Sequence, residues 1–399
     1  VNNASHHSGR PAWARPDLFP AAPPDSWGYK VGGKGIHPVE NSKALSEALR
    51  ADANEWIGLV WTPEHPHMEV PEAVPELLDA VKESRLKASA QELQKQNGQL
   101  RLGLLLLLAF LAYAGWEIVQ FRKEFSPLGL LQDLIKSAAP ALGFLMFVMF
   151  FLLPWYEAKK RWREVRAWTV ETMRDAGDLA RFDIWLSWQK IYATKVLMGL
   201  IGIAGAVQIF TGKTEAAALI KGGEERWRLL TAPLLHGHIL HFMMNALGLI
   251  YLGRRIEALA RWPQVPIVFL FSAWIGGECS VQVGTGLSLG ASGGLMGMLG
   301  FLLVFETRHA QLVPRKSRRR LIAAILGTAL IGVIGVRFID NAAHAGGLIA
   351  GMLYALVVFP RSESSVRPHA TTVDRVVALL CFAVLVYALL LASRVMMTA

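Results

Sequence analysis

Charge is scarce in this chain. Only 18% of its 399 residues are Asp, Glu, Lys or Arg, while 53% are hydrophobic; soluble domains carry roughly 25% charge. A mean hydropathy of +0.34 points the same way, to an integral membrane protein with some soluble mass. Cysteine is nearly absent. Cys279 and Cys381 are the two present, both inside hydrophobic runs and without metal-ligand spacing, so they read as small apolar packing residues. The first hundred residues contain no apolar core preceded by positive charge. A signal peptide is therefore not expected, and the N-terminus is expected to stay cytoplasmic. The net charge of +10 invites a nucleic-acid reading, but no basic, aromatic-interleaved stretch supports one, and no nucleic-acid partner is expected.

Long hydrophobic runs are what the chain has in quantity. Nine of them, at about 102–121, 137–154, 195–212, 239–253, 265–284, 291–306, 321–337, 342–360 and 376–392, are candidates to cross a bilayer, which makes membrane lipid an expected partner. Lys159, Lys160, Arg161, Arg163 and Arg166 follow span two. Arg254, Arg255 and Arg261 follow span four. Arg308, Arg315, Lys316, Arg318, Arg319 and Arg320 follow span six, and Arg361, Arg367 and Arg375 flank the loop after span eight. Every even-numbered span thus ends in a basic loop, which assigns those loops to the cytoplasm; Arg122 and Lys123 are a minor exception. Spans four, six and eight then run from outside to inside. The run from Ala291 to Glu306 covers roughly 24 Å as a helix, against about 30 Å of hydrocarbon. With Glu306 at one surface, Ser292 lies several ångströms below the other.

The soluble parts are less informative. Residues 1–37 are rich in Pro and Gly and read as loop or disorder. A helix is expected from Asn41-Ser42-Lys43 through Leu49, a strand at Trp56-Ile57-Gly58-Leu59-Val60-Trp61, and a further helix opening at Pro75 with proline in its first turn. The stretch 155–194 carries Trp155, Trp162, Trp168, Trp185 and Trp188 among basic residues. It reads as a helical linker with aromatic anchors at the membrane edge, or as an interfacial amphipathic helix.

Chemistry-bearing residues gather at the starts of three spans. Ser292 lies in Gly290-Ala291-Ser292-Gly293 at the head of span six, and His344 in Asp340-Asn341-Ala342-Ala343-His344-Ala345-Gly346-Gly347 at the head of span eight. The charge count places both near the outer side. A helix N-terminus offers free N–H groups and a dipole favouring negative charge, those donors can bind a tetrahedral oxyanion, and histidine supplies a general base. The bland readings are a small-residue helix interface at Gly293 and Gly297, and a lone histidine bonding between helices. The two sets are compatible, since close packing of spans six and eight is what brings Ser292 to His344. Polar residues within spans are functional candidates by default. Asp340, one turn before His344, can orient it or simply cap the helix; a dyad is expected. His241 and Asn245, four apart at the head of span four, share one helix face at the same depth. His236, His238 and His241 can be read as a metal site, but a donor role toward an oxyanion suits His241 and Asn245 better.

These residues resemble the rhomboid family of intramembrane serine proteases. Trp227-Arg228 is similar to the Trp-Arg pair of the family's first outer loop, His241-Phe-Met-Met-Asn245 to its His-xxx-Asn, Gly290-Ala-Ser292-Gly293 to its nucleophile motif, and Ala343-His344-Ala-Gly-Gly347 with Gly351 to its base-bearing helix. Tyr251-Leu-Gly253 and Glu257 resemble the end of its second core helix. The likeness covers about 195–360, with a seventh family-type span at 376–392. It implies a rhomboid-like six-helix core with a C-terminal seventh span; the hydrophobic runs and charge pattern add an N-terminal two-span hairpin and a small cytoplasmic N-terminal region outside that likeness, for an all-α polytopic membrane protein. The expected divisions are 1–95 cytoplasmic and partly disordered, 96–155 the hairpin, 156–194 the basic Trp-rich linker, 195–360 the protease core and 361–399 the last span. The implied activity is peptide-bond cleavage in or near the transmembrane segment of single-span proteins that carry small residues at the cut and a helix that unwinds readily. Ser292 is implied as nucleophile, His344 as base and then acid, and His241, Asn245 and the Ser292 N–H as oxyanion donors. No cofactor is implied. The setting expected is a bacterial cell membrane, with the site opening to the outer side; nothing in the sequence signals an oligomeric state. One departure stands out. The family often has an aromatic residue four positions past the serine, and here it is Met296, whose thioether can still contact an imidazole. Two other classes stay in view: a catalytically silent rhomboid-like protein that binds membrane clients, and a transporter, which would need charged residues deep in several spans beyond Glu117 and Glu278.

Overall fold

The computed structural model describes residues 9–32, 35–52, 54, 57–120, 126, 129, 138–336 and 338–399. Backbone polar groups cannot stay unpaired in hydrocarbon, so apolar runs of this length close their hydrogen bonds internally as helices. Over the described residues, all nine expected spans lie largely on helices, but those at 239–253, 291–306 and 321–337 lack the length or apolar character of a membrane crossing. Among the described residues, six helical segments are long and apolar enough to cross a membrane: Pro75–Gln120, Pro140–Arg166, Tyr192–Thr211, Gln264–Val281, Asn341–Val358 and Thr372–Thr398. The chain is an integral multi-pass membrane protein. Its described residues divide into two compact units, one within 16–181 and 327–339, the other within 9–15, 182–326 and 340–399.

The first unit begins with a small α/β layer. Strands β1 (Trp27–Val31), β2 (Ile36–Val39) and β3 (Ile57–Trp61) form an antiparallel sheet in the order β2-β1-β3. Helix α1 (Ser42–Ala51) is capped by the Asn41 side chain, which accepts from the Ala44 N–H. Leu45, Leu49, Ile57, Val60, Val74, Leu77 and Val81 build the core with Met173. The expected strand and both expected helices are present; Trp56 lies outside the described residues. Residues 1–37 do not read correctly as loop throughout. Two 3₁₀ turns, Ala12–Ala14 and Pro16–Leu18, and strand β1 interrupt them; the strand forms because its partner Ile57–Trp61 supplies from a distance the pairing that local composition does not announce.

Proline at 75 opens a 3₁₀ turn that runs into α2 (Leu78–Gln120), a single 43-residue helix. Helix α3 (Ala138–Phe147) passes through a π-turn at Val148–Leu152 into α4 (Leu153–Arg166), and α5 (Val170–Ser187) follows. The Trp-rich stretch is thus two helices. Trp155 donates to Asn97 Oδ1 at 2.8 Å, and Trp168 packs on the N-terminal core.

The second unit holds α6 (Tyr192–Thr211), α7 (Ile239–Ala260), α8 (Gln264–Val281), α9 (Ser292–Arg308), α11 (Asn341–Val358) and α12 (Thr372–Thr398), with most of α10 (Ser317–Ile334). Close helix approach in a membrane requires small residues, and here α8, α9 and α11 meet nearly backbone to backbone. A Cβ on Gly347 would stand 2.1 Å from the Gly293 carbonyl oxygen, one on Gly351 1.9 Å from that of Gly297, and one on Gly276 2.6 Å from that of Ala343. The constant offset of the pairs 293/347 and 297/351 makes α9 and α11 parallel in register. Glu257 on α7 receives the free N-terminus of α6: its carboxylate accepts from the Thr194 N–H at 2.8 Å, the Thr194 hydroxyl at 2.6 Å and the Ala193 N–H at 3.3 Å.

Two sequence readings need correction. Glu306 is not an exposed charge at the end of its span; it is fully buried and ion-paired with Arg255, whose Nη2 donates to Glu306 Oε2 at 2.9 Å. Arg255 belongs to α7 itself and is 1% exposed, so it is no marker of a cytoplasmic loop. A charge buried among helices persists only with its partner, and counting each residue alone gave no sight of the pair.

Candidate active site

Helices α7, α9 and α11 all begin at one end of the second unit. Helix α9 begins at Ser292 itself. The turn before it needs Gly290, whose φ of +127° L side chains rarely adopt and where a Cβ would stand 2.7 Å from His241 Cε1. The Gly290 N–H donates to the Ala232 carbonyl at 3.0 Å. Just upstream, β5 (Leu287–Ser288) pairs with β4 (Leu219–Ile220), so the loop between α6 and α7 is fastened to the serine turn. Arg228 braces that loop from below: its Nη1 donates to the carbonyls of Ala216 at 2.7 Å and Ala218 at 2.9 Å while its guanidinium lies 4.5 Å over Trp227.

Helix α11 starts at a cap supplied by Asp340, whose Oδ1 accepts from the Ala343 N–H at 3.1 Å. The other oxygen, Oδ2, accepts from Ser280 and lies 3.3 Å from Lys221 Nζ. Burial alone would raise this carboxyl; hydrogen bonds from Ser280, Ser288 and the Ala343 N–H, and the Lys221 charge, outweigh it and hold the group below the ordinary carboxylate range. Asp340 therefore fixes where α11 begins through Oδ1 and ties that start to Ser280 and Lys221 through Oδ2.

The first turn of α11 carries His344 to Ser292. His344 Nε2 and Ser292 Oγ are 2.8 Å apart, at hydrogen-bond distance, with both residues half-buried. On α7, His238 caps the helix by accepting from the His241 N–H at 3.2 Å, so it is occupied as a cap. His236 is buried and packs edge-on against His241, ring centroids 5.1 Å apart, and against Phe242 at 5.4 Å. Asn245 donates to the His241 carbonyl at 3.0 Å and is 7% exposed. An atom built at the Gly290 Cβ position would lie 2.9 Å from His241 Nε2 and 3.9 Å from Asn245 Nδ2. Four separated residues, Ser292, His344, His241 and Asn245, thus converge. Met296 lies buried one turn along α9, and Cys279 packs against Gly346. Sequence reasoning gave no separate task to Gly290, Ser280 or Lys221; the positive φ and the cross-loop contacts that define them are tertiary.

Such an arrangement can generate a serine alkoxide equivalent, because the imidazole accepts the hydroxyl proton as the oxygen attacks. It also surrounds the neighbouring space with N–H donors suited to a developing oxyanion. Fold and site together define a polytopic helical membrane protein with a serine–histidine pair at the heads of two parallel helices. The family model of the rhomboid domain matches residues 223–361, a segment that contains all four residues. RHOMBOID-like protein 4 of Arabidopsis thaliana is 28% identical over 171 residues, 43% of this chain and 42% of its own length. The rhomboid protease GluP of Bacillus subtilis (strain 168) is 32% identical over 144 residues, 36% of this chain and 28% of its own. Inactive rhomboid protein 1 of Papio anubis is 28% identical over 140 residues, 34% of this chain and 16% of its own. The chain thus spans less than half the length of these curated relatives. Residues 223–361 thus carry a rhomboid domain, and the relatives they resemble include both a named protease and a named inactive member.

Proposed function

We propose that this chain is an intramembrane serine endopeptidase that cuts single-span membrane proteins in or near their transmembrane segment. The observation that carries the reading is the 2.8 Å approach of Ser292 Oγ to His344 Nε2, beside His241 and Asn245. Ser292 Oγ attacks the scissile carbonyl carbon as His344 Nε2 takes its proton. The carbonyl oxygen becomes an oxyanion held by the Ser292 N–H, His241 and Asn245. His344 then protonates the leaving amine, the peptide bond breaks, and an acyl-serine remains. Water activated by His344 releases the second product and restores the hydroxyl. No step calls for a cofactor. Among the described residues no carboxylate bonds His344, so the pair works as a dyad, and Asp340 acts through the helix cap.

The basic loops favour a topology with the N-terminus in the cytoplasm and the site opening to the outer side. On that reading residues 1–95 form a cytoplasmic region, 96–155 a two-span hairpin, 156–194 a linker, 195–360 the protease core and 361–399 the last span, in a cell membrane of bacterial type. Small residues at the cut suit the narrow space at the heads of α9 and α11. The likeness to an inactive rhomboid protein favours one alternative, a silent client-binding role, and the same experiment separates the two. Ser292→Ala should abolish cleavage of a reconstituted single-span substrate while the variant still inserts and unfolds as the parent does. Equal cleavage by parent and variant, or none by either with substrate still bound, overturns the protease reading.

A further inference from the structure

The opposite end of α7 carries a second feature, at the far end of the unit from Ser292. Helix α7 stops at Ala260, and Arg261 turns the chain with a φ of 81° and ψ of 157°. Its Nε donates to the Pro368 carbonyl at 3.0 Å, and Arg367 Nη1 donates back to the Ala258 carbonyl at 3.0 Å. These two bonds stitch the segment before α12 to the end of α7. Between them lies a cavity of about 210 Å³ lined by Arg261, Trp262, His369, Ala370 and Arg375.

The cavity is strongly positive and lacks a counter-charge. Among the described residues, Arg261, Arg367 and Arg375 have no carboxylate at ion-pair distance. The adjacent acid, Asp374, is spent on the cap of α12, where its Oδ2 accepts from both the N–H and the hydroxyl of Thr371 at 2.7 Å. Burial, and then the neighbouring Arg261 charge, push the Arg367 guanidinium below its ordinary value. Two guanidiniums crowd one site that no carboxylate among the described residues pairs with. Arginine forks match phosphate oxygens bidentately.

We infer that this cavity binds the phosphate of an anionic membrane lipid headgroup. Three features select a lipid. The cavity lies where α7, α8 and α12 end or begin, so it sits at headgroup depth. Trp262 in its wall is the side chain favoured at that depth. Its volume falls below the roughly 300–1,000 Å³ of sites that enclose whole organic ligands, so it takes a headgroup and leaves acyl chains outside. On the charge-based topology this is the cytoplasmic leaflet, where anionic lipids attract basic groups. The site is separate from Ser292 and does not depend on the protease reading.

The test is native mass spectrometry of the full chain released from micelles doped with phosphatidylglycerol, phosphatidic acid or phosphatidylcholine, with inorganic phosphate as a fourth arm. One phosphatidylglycerol or phosphatidic acid should be retained in preference to phosphatidylcholine, and inorganic phosphate should not compete at equal concentration. Arg375→Gln removes an exposed charge that braces no backbone, and should weaken retention about fivefold. Arg261→Gln with Arg375→Gln should abolish it, while Arg375→Lys keeps most of it. Equal retention of phosphatidylcholine, displacement by inorganic phosphate, or unchanged retention in a folded Arg375→Gln variant overturns the proposal.

Discussion

Replacing Gly347 by alanine probes how tightly the proposed dyad depends on backbone contact. The added Cβ would stand 2.1 Å from the Gly293 carbonyl oxygen and 2.9 Å from its carbon. Carbon to carbonyl-oxygen contacts settle at about 3.3 Å or more, so α9 and α11 must part locally by about 1 Å. Both atoms of the contact lie within a turn of the pair: Gly293 follows Ser292, and Gly347 is three residues past His344. A separation of this size stretches the 2.8 Å Ser292–His344 approach toward about 4 Å, beyond hydrogen-bond reach. Misplacement by about 1 Å costs on the order of 10²-fold in rate, and overpacking adds about 1–3 kcal/mol of destabilisation. The assay is kcat/KM on a single-span substrate in liposomes, alongside unfolding by denaturing detergent. Gly199→Ala on α6, where nothing lies within 4 Å of the new Cβ, is the control and should leave both readouts unchanged. A folded Gly347→Ala protein with the kcat/KM of the parent would refute the argument that backbone contact sets the dyad.

Two further outcomes follow from buried charge. Glu306→Gln strands Arg255, which is 1% exposed, and should destabilise the protein by about 3–5 kcal/mol; the double variant Arg255→Met with Glu306→Met should recover most of the loss, as read by detergent unfolding. The Asp340 carboxyl is held below its ordinary value, so the stabilisation it contributes is present above about pH 4 and is lost as pH falls through its lower folded value. Asp340→Asn should therefore flatten the acid side of the unfolding-temperature profile, and it should lower activity at neutral pH through the position of α11 without removing it.

Much of the second unit was legible because membrane helices announce themselves by length and because glycine spacing marks where they touch. Gly293, Gly297, Gly347 and Gly351 state the parallel packing of α9 on α11 almost directly, and with it the meeting of Ser292 and His344. The four-residue step from His241 to Asn245 likewise puts both on one face. What stayed hidden was everything settled by pairing at a distance. Strands β1 and β2 lie in a Pro- and Gly-rich stretch and form because β3, a distant segment, completes the sheet. Arg255 and Glu306 looked like separate surface charges until their contact removed both from the surface. Gly290 reads as one letter of a motif, whereas its positive φ and its nearness to His241 are what bring the donors of α7 to the serine. Arg122 and Lys123, the exception in the charge count, lie outside the described residues.

The central claim is that Ser292 is a nucleophile activated by His344. Covalent labelling of the folded, reconstituted protein by a fluorophosphonate, with the adduct located by peptide mass spectrometry, tests it most directly. The account predicts a single adduct on Ser292, absent in Ser292→Ala and strongly reduced in His344→Ala. No labelling of the folded parent, or labelling that persists in Ser292→Ala, would contradict it.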